Sequence, residues 1–250
     1  DGSEKILSNP PTERALLRLN PSTLSQAFGQ QLFENGGHLK TTFEQRLLPL
    51  ISSRLLDPSL QRSNSGSIGL GSAMSLFLAS HRRAPKLVAE VGTYIGNSAA
   101  AIGCGAGIAQ QAVQLITCDM HPCTQQPFAG LNLPSESKAQ VLQGSSTQMF
   151  ELLTSKGAKL DMLHIDGRLM KDDLKLLGQL LKSDTLIALD DCEGDEKGHI
   201  NLDLLRRAGL INNHAYVEPF SRELFRCWGF ETRSVTGFLL PQSSISFTRQ

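Results

Sequence analysis

The sequence has no surplus of charge of either sign, since its 250 residues include 24 Lys+Arg and 24 Asp+Glu. It therefore has no global electrostatic field that would draw it to nucleic acid or to an acidic membrane surface. It also lacks any apolar run approaching the roughly 20 residues of a membrane span. These absences predict a soluble protein with no nucleic-acid partner and no membrane partner.

Cysteine is scarce and shows no paired spacing. The five cysteines cannot all pair with one another, and no C-x-x-C motif occurs. Cys118, His121 and Cys123 lie close enough in sequence to suggest zinc, but their spacing fits no usual zinc finger. We therefore expect free thiols and a reduced, cytoplasmic setting.

The first 80 residues differ in pattern from the rest of the chain. Helices are predicted at residues 12–19, 21–33 and 41–56. A loop is predicted at 34–38, and a stretch rich in glycine and serine follows at 63–72. This stretch is either a flexible linker or a loop whose backbone approaches a ligand closely. We expect residues 1–80 to form a helical cap and residues 81–250 to form the main domain.

From residue 86 onward, short apolar strands alternate with helical segments. Strands are predicted at 86–91, 115–119, 139–143, 161–166 and 185–190, and helices at 97–111, 147–155, 171–182 and 200–207. Two or three further strands are predicted among the candidates 215–220, 234–240 and 244–248, where short connections would permit an antiparallel closing hairpin. Buried strands joined by crossover helices predict an α/β fold with a doubly wound, mostly parallel sheet of seven strands. Such sheets bind ligands at the carboxyl ends of their strands.

A glycine-containing loop follows the first predicted strand, with the sequence Glu90-Val91-Gly92-Thr93-Tyr94-Ile95-Gly96-Asn97-Ser98. Gly92 and Gly96 let the chain turn tightly and bring its backbone against a ligand, and Asn97 or Ser98 caps the next helix. The loop lacks the G-x-G-x-x-G pattern of a dinucleotide site. Three later glycines are interpreted as the C-terminal breaker of that helix: Gly103, Gly105 and Gly107.

The ends of the second and third strands carry residues suited to a nucleoside. Asp119 ends the second strand, 23 residues after Gly96. A carboxylate there can accept both ribose hydroxyls. Gly144-Ser145-Ser146-Thr147 follows the third strand and offers small hydrogen-bonding groups for a purine edge. The alternative is that Ser146 only caps the next helix, and both interpretations stay open.

Three carboxylates end the fourth and fifth strands: Asp166, Asp190 and Asp191. If these strands are neighbours, the carboxylates converge on one edge of the sheet. Because unpaired carboxylates repel one another, a hard cation such as Mg²⁺ is a natural explanation. The alternative, that some of them cap helices, is more credible for Asp191 than for the two residues that end apolar strands.

In this order, the motifs resemble the cation-dependent O-methyltransferases typified by the catechol and caffeoyl-CoA enzymes. The resemblance runs from about Gly66 to Asp191 and implies S-adenosylmethionine as cofactor, with Mg²⁺ or Mn²⁺ as metal. It implies that Gly92 and Gly96 face the methionyl part of the cofactor. Asp119 would hold the ribose, and Ser146 would contact the adenine. The implied cofactor set also includes Ser67, Ile68, Glu90, Tyr94, Ser98, Met120, Ser145 and Asp166, and the implied metal triad is Asp166, Asp190 and Asp191.

The sequence departs from that family at two positions. The family places a catalytic lysine three residues after the first metal ligand, and this chain has Leu169 there, with Arg168 and Lys171 nearby but not equivalent. The third metal ligand is Asp191, where the family has asparagine. With the lysine missing, the proposed catalytic residues are Asp166, His199 and His38.

The expected activity is methyl transfer from S-adenosylmethionine to a hydroxyl of a small molecule, a secondary metabolite or sugar-like compound. Three alternatives stay open: a metal-independent N-, C- or carboxyl methyltransferase, a nicotinamide oxidoreductase, and a non-catalytic binding module on the same fold. Whether the protein forms a homodimer is also left open.

Overall fold

The computed structural model describes residues 36–60, 66–122, 126–192, 197–211 and 236–239. Six strands in these ranges form one sheet: β1 (Leu87–Val91), β2 (Gln114–Asp119), β3 (Lys138–Gln143), β4 (Leu160–Ile165), β5 (Leu181–Leu189) and β6 (Gly237–Leu239). The helices are α1 (Gly36–Thr42), α2 (Leu48–Leu56), α3 (Leu70–Arg83), α4 (Asn97–Ile108), α5 (Ser146–Ser155), α6 (Lys171–Leu180) and α7 (Lys197–Arg207). A π-helical turn, Phe43–Leu47, joins α1 to α2.

The sheet has the order β3-β2-β1-β4-β5-β6. The first five strands are parallel, and β6 pairs antiparallel with β5. β1 and β4 are neighbours although β2 and β3 lie between them in sequence. Their carboxyl ends therefore form the topological switch point, where sheets of this kind bind ligands. The predicted doubly wound, mostly parallel sheet is confirmed.

The structure describes six strands where seven were predicted. The strand predicted at 234–240 is present as β6, whereas those predicted at 215–220 and 244–248 lie outside the described residues, as do the helices predicted at 12–19 and 21–33. None of the helices in the described ranges has the length and apolar character that a bilayer crossing requires.

Alternate residues of the buried strands face two separate apolar layers. Val88 and Met162 belong to the layer that holds α3 and α4, while Ala89 and Leu163 belong to the layer that holds α5 and α6. This two-sided burial is what continuous apolar runs in parallel strands indicate. On the first of these faces Glu90 and His164 interrupt the apolar pattern, next to the switch point.

The three glycines of α4 lie inside the helix, so their interpretation as its breaker was wrong. A Cβ at Gly105 would lie 2.1 Å from the carbonyl oxygen of Phe77, and one at Gly103 would lie 2.5 Å from the ring of Phe128. These glycines therefore allow α3 and the segment after β2 to pack directly on the helix backbone. Burial by neighbours on all sides stabilises a helix whose glycines alone would weaken it.

The N-terminal helices share a core with the sheet. Phe43, Leu47 and Ile51 are fully buried, and the ring of Phe43 packs edge-on against Phe77 of α3 at 5.7 Å. The prediction of a loop at 34–38 was wrong for residues 36–38, because α1 begins at Gly36. The boundary expected after residue 80 falls inside α3, a helix buried along nearly its whole length.

Candidate functional site

The loop after β1 is clamped at the switch point. Gly92 has φ 98° and Gly96 has φ 76°, a left-handed region that glycine enters without strain. A Cβ at Gly92 would lie 3.1 Å from the backbone nitrogen of Gly167, so only glycine lets the two loops approach this closely. The amides of Asp166 and Gly167 also donate to the carbonyl of Val91, at 2.9 Å each. The backbone of this loop is therefore positioned as the sequence predicted.

Asp119 holds the same loop from the end of β2. Its Oδ2 accepts a hydrogen bond from the amide of Tyr94 at 2.8 Å, and its Oδ1 accepts one from the amide of His121 at 2.8 Å. The first bond fixes Tyr94 at φ 45°, an uncommon conformation for a residue with a Cβ. These two bonds tie the end of β2 to the loop after β1. Met120 is 70% exposed beside it.

The segment 66–69 is bonded to the glycine loop. Ser67 Oγ accepts a hydrogen bond of 2.8 Å from Asn97 Nδ2, at the start of α4. Asn97 is buried, and its Oδ1 has no hydrogen-bond partner among the described residues. Ile68 is buried in the first apolar layer, and Ser98 is buried at the start of α4. The Ser67–Asn97 bond attaches this segment to the main fold, so it is not a free linker, and a contact with the cofactor remains a prediction. Residues 70–72 already belong to α3.

The serines after β3 serve helix and loop structure. Ser145 is the N-cap of α5 and forms a capping box with Gln148. Ser146 Oγ donates to Asp173 Oδ2 at 2.6 Å, and Thr147 Oγ1 donates to Asp173 Oδ1 at 2.6 Å. The capping role that the sequence left open for Ser146 therefore belongs to Ser145. An adenine contact by either serine remains a prediction.

The three predicted carboxylates do converge. β4 and β5 are adjacent and parallel, and one carboxylate oxygen from each of Asp166, Asp190 and Asp191 lies within 4.8 Å of the others. Asp190 is buried, and its Oδ1 accepts hydrogen bonds from Ser72 at 2.6 Å and Thr236 at 3.1 Å. Asp191 has φ 56°, which turns its side chain back toward Asp166.

Lys197, which the sequence analysis did not single out, fills the space between two of these carboxylates. Its Nζ lies 3.0 Å from Asp166 Oδ1, 2.8 Å from Asp191 Oδ2 and 2.7 Å from the carbonyl oxygen of Asp166. Although burial opposes its charge, the neighbouring carboxylates raise the pKa of Lys197 above its ordinary value. The only sequence signal was a lysine at the start of the helix that follows the acidic pair.

The carboxylates have unusual proton affinities. Burial, reinforced by the negative charge of Asp190, raises the pKa of Asp166 to about 7, although Lys197 and His164 act in the opposite direction. Burial also raises the pKa of Asp190, against the opposing effects of His164 and Ser72. Raised carboxyl pKa values in a cleft are typical of functional sites.

A fully buried pair lies beneath the triad. His164 Nδ1 is 3.0 Å from Glu90 Oε1, and both side chains have no exposed surface. Burial alone would lower the pKa of His164, but the hydrogen bond and charge of Glu90, with Asp166 and Asp190, raise it above its ordinary value. His164 Nε2 and Glu90 Oε2 have no hydrogen-bond partners among the described residues.

The other positions considered for a catalytic base lie in different parts of the structure. Leu169 is buried in the second apolar layer, and its amide is bound by Asn201, so this position does not present a side chain to the triad. Arg168 and Lys171 are exposed. His199 lies in the first turn of α7 near Lys197, and its Nε2 is buried without a partner in the described part of the chain. His38 is exposed on α1, where its charge acts on His81 near the end of α3, away from the triad.

Arg54 was also missed, because a lone arginine on a predicted helix carries no sequence signal. Its side chain is buried, and its guanidinium donates to the carbonyls of Gly96 at 2.8 Å and Pro127 at 2.9 Å. It thereby ties α2 to the glycine loop.

Of the five cysteines, three lie in the described ranges. Cys104, Cys118 and Cys192 are buried and form no disulfide, which agrees with the prediction of reduced thiols.

Residues 89–192 match the family model of a methyltransferase domain. The chain has the Rossmann-like fold of methyltransferases. The chain is also similar in structure to the cofactor-bound protein Rv0187 from MTB, with a TM-score of 0.51 and 14% identity over 77% of this chain and 89% of that one.

Two other solved structures are similar to this chain at lower TM-scores. The S-adenosylhomocysteine-bound methyltransferase PaMTH1 of Podospora anserina has a TM-score of 0.47 and 16% identity, over 79% of this chain and 88% of that one. An O-methyltransferase from Bacillus cereus in complex with S-adenosylhomocysteine has a TM-score of 0.47 and 13% identity, over 80% and 90%. No curated protein sequence matches the chain.

Proposed function

We propose that this protein transfers a methyl group from S-adenosylmethionine to a hydroxyl of a small molecule, such as a secondary metabolite or a sugar-like compound. The observation that carries the proposal is the bond between Asp119 and the amide of Tyr94, at the switch point of a methyltransferase fold. This bond joins the glycine loop to the carboxylate suited to a ribose, so one ligand can contact both.

The residues of the glycine loop fit the cofactor. Gly92 and Gly96 hold the turn in left-handed conformations, and Asn97 Oδ1 is a buried acceptor without a partner in the described ranges. α4 begins in this loop, and the N-terminus of a helix favours a carboxylate such as that of the methionyl group. When bound, S-adenosylmethionine supplies a methyl group on a sulfonium centre. The protein has to align the acceptor with that methyl and exclude water.

Asp166 is the residue that we propose to face the acceptor. It follows β4 directly, its amide contacts the glycine loop, and its side chain keeps 14% of its surface exposed. A carboxylate in this position orients the acceptor hydroxyl and takes up its proton when the oxygen attacks the methyl group. Lys197 supplies positive charge on the opposite side of the same carboxylate. His199, in the first turn of α7, is a further candidate for proton transfer.

Divalent-cation assistance is the second form of this proposal, favoured by three carboxylates within 4.8 Å. Mg²⁺ and Mn²⁺ prefer such oxygen ligands. The three carboxylates can bind a metal ion only if the Lys197 side chain moves away, because its ammonium group already contacts Asp166 and Asp191. The mechanism above therefore uses no metal, and activity in excess chelator, compared with activity in added Mg²⁺, decides between the two forms.

The cofactor is tested by calorimetric titration with S-adenosylhomocysteine. We expect saturable binding and a raised melting temperature, because a ligand that binds only the native state stabilises it. Asp119→Ala should weaken binding by about 1–3 kcal/mol, or roughly 5- to 150-fold, because it removes hydrogen-bond partners of both ligand and loop. The matched control is Asp172→Ala, since Asp172 is exposed at the start of α6.

A protein that binds NADH and ignores S-adenosylhomocysteine would contradict the whole proposal and favour an oxidoreductase. If S-adenosylhomocysteine binds, transfer of labelled methyl to a panel of small hydroxylated, amine and carboxylate compounds identifies the acceptor atom. Binding without transfer to any of them would favour a non-catalytic module on the methyltransferase fold.

A further inference from the structure

Lys197 makes every contact that its ammonium group can make. An ammonium group has three N–H donors and no acceptor. In this structure Nζ has three acceptors, the carbonyl oxygen of Asp166, its Oδ1, and Asp191 Oδ2, at 2.7, 3.0 and 2.8 Å. Lys197 therefore satisfies oxygens that a metal ion at the triad would require.

The backbone next to Lys197 packs directly against the backbone of Asp190 and Asp191. The next residue is Gly198, where a Cβ would lie 2.6 Å from the carbonyl oxygens of both Asp190 and Asp191. Any other residue at 198 would push the first turn of α7 away from the end of β5. The glycine thus brings the helix, and with it Lys197, directly over the carboxylates.

A second contact holds α7 in this place. Asn201 is fully buried, accepts a hydrogen bond of 3.0 Å from the amide of Leu169, and donates one of 2.8 Å to the carbonyl of Gly167. Asn201 therefore bonds the first turns of α7 to the loop after β4, at two residues that closely follow Asp166. A surface lysine on a free helix has no such support, so the position of Lys197 is built into the fold.

The third carboxylate is satisfied without a cation of its own. Asp190 accepts hydrogen bonds from Ser72 and Thr236, and its charge interacts favourably with that of His164. A divalent ion between the three residues would lie beside the ammonium group of Lys197, and the two positive charges would repel each other at short range.

We propose that Lys197 is the built-in cation of the Asp166–Asp190–Asp191 triad and takes the place of a divalent metal ion. Its role beside the acceptor rests on the proposed function, but its occupation of the triad does not. The prediction is that the full-length, untagged protein has no metal site at the triad, and that removing this one ammonium group creates one.

The experiment is a titration of Mn²⁺, followed by electron paramagnetic resonance of the free ion, on the wild type and on Lys197→Met. The wild type should show no saturable binding below about 1 mM, while the variant should gain affinity by at least about tenfold. Adding Asp191→Ala to Lys197→Met should abolish the new binding. Lys175→Met, an exposed lysine of α6, is the matched control and should behave like the wild type.

Saturable Mn²⁺ binding by the wild type that Asp191→Ala abolishes would overturn the inference. A folded Lys197→Met variant that gains no affinity would overturn it as well. Lys197→Gln replaces Lys197→Met if circular dichroism shows that the methionine variant does not fold. Titration of the same wild-type sample with S-adenosylhomocysteine separates the two proposals, because absent cofactor binding refutes the function and leaves the metal result valid.

Discussion

Six ionisable side chains meet at the carboxyl ends of β1, β4 and β5: Glu90, His164, Asp166, Asp190, Asp191 and Lys197. With all six charged, four carboxylates and two cations leave a net charge of −2. A buried excess of charge is costly, so the pKa of Asp166 and that of Asp190 are raised. A cationic ligand would relieve the same excess, which agrees with the sulfonium centre of the proposed cofactor.

The buried pair makes stability depend on pH in a defined direction. The pKa of His164 is raised above its ordinary value of 6.5, so the native state holds this proton more tightly than the unfolded state. Its contribution to stability is fully present below pH 6.5 and is lost as pH rises through the folded-state pKa. Glu90→Gln removes the charge responsible. It should lower the free energy of unfolding by about 1–3 kcal/mol at pH 6, and by less at pH 9.

Urea unfolding at a series of pH values measures this difference. His121→Gln is the control, since His121 is exposed and should leave the pH profile of the wild type unchanged. If Glu90→Gln lowers the free energy of unfolding equally at pH 6 and pH 9, His164 does not carry a positive charge at pH 6.

At the scale of secondary structure, the α3–α4 contact is the tightest helix packing that the structure describes. Gly105→Ala would place a Cβ 2.1 Å from the carbonyl oxygen of Phe77 and 2.9 Å from the amide of His81. Both are backbone atoms of a buried helix, so the helices must separate. We expect a loss of about 1–3 kcal/mol in the free energy of unfolding, or more, from such overpacking.

Gly178→Ala is the matched helix variant. Its Cβ would meet only the side chain of Leu210, at an ordinary 3.6 Å, so alanine should stabilise α6 by up to about 1 kcal/mol. Thermal and urea unfolding of both variants compare the two effects directly. Equal behaviour of the two alanines would show that close packing does not decide the residue at position 105.

At the scale of the whole molecule, the shared core leads us to expect that the N-terminal helices and the sheet unfold as one cooperative unit. Deleting residues 1–60 removes Phe43, Leu47 and Ile51 from the core and Arg54 from the glycine loop. We expect the remaining chain to lack a cooperative urea transition and to bind a hydrophobic dye, because it exposes the apolar face of α3.

Two point variants measure how much the N-terminal helices contribute to the free energy of unfolding of the full chain. Phe43→Ala should cost about 3–5 kcal/mol, whereas Leu56→Ala, 80% exposed at the end of α2, should stay within about 0.5 kcal/mol of the wild type. A truncated protein that unfolds cooperatively at the wild-type urea concentration would show that the helical region is only an attached cover.

The local pattern of residues was enough to predict the sheet and most of the strand-end chemistry. Apolar runs alternating with helical segments predicted the five parallel strands, because burial on both faces imposes that pattern. The convergence of Asp166, Asp190 and Asp191 was predictable for the same reason, since parallel neighbours end at one edge of a sheet. The glycine loop was recognisable because its conformation depends on glycine itself.

Only the tertiary structure decided which groups meet across long sequence separations. Lys197, Arg54 and Asp173 each bind partners on other elements, so no local spacing marks them. The glycines of α4 looked like a helix breaker because sequence shows a missing side chain and not the helix packed against it. Likewise, the sequence showed three carboxylates and no lysine at position 169. The ammonium group of Lys197 reaches these carboxylates from α7, because Gly198 packs on the end of β5. The position of Lys197 therefore depends on a contact between two elements, which no local sequence pattern shows.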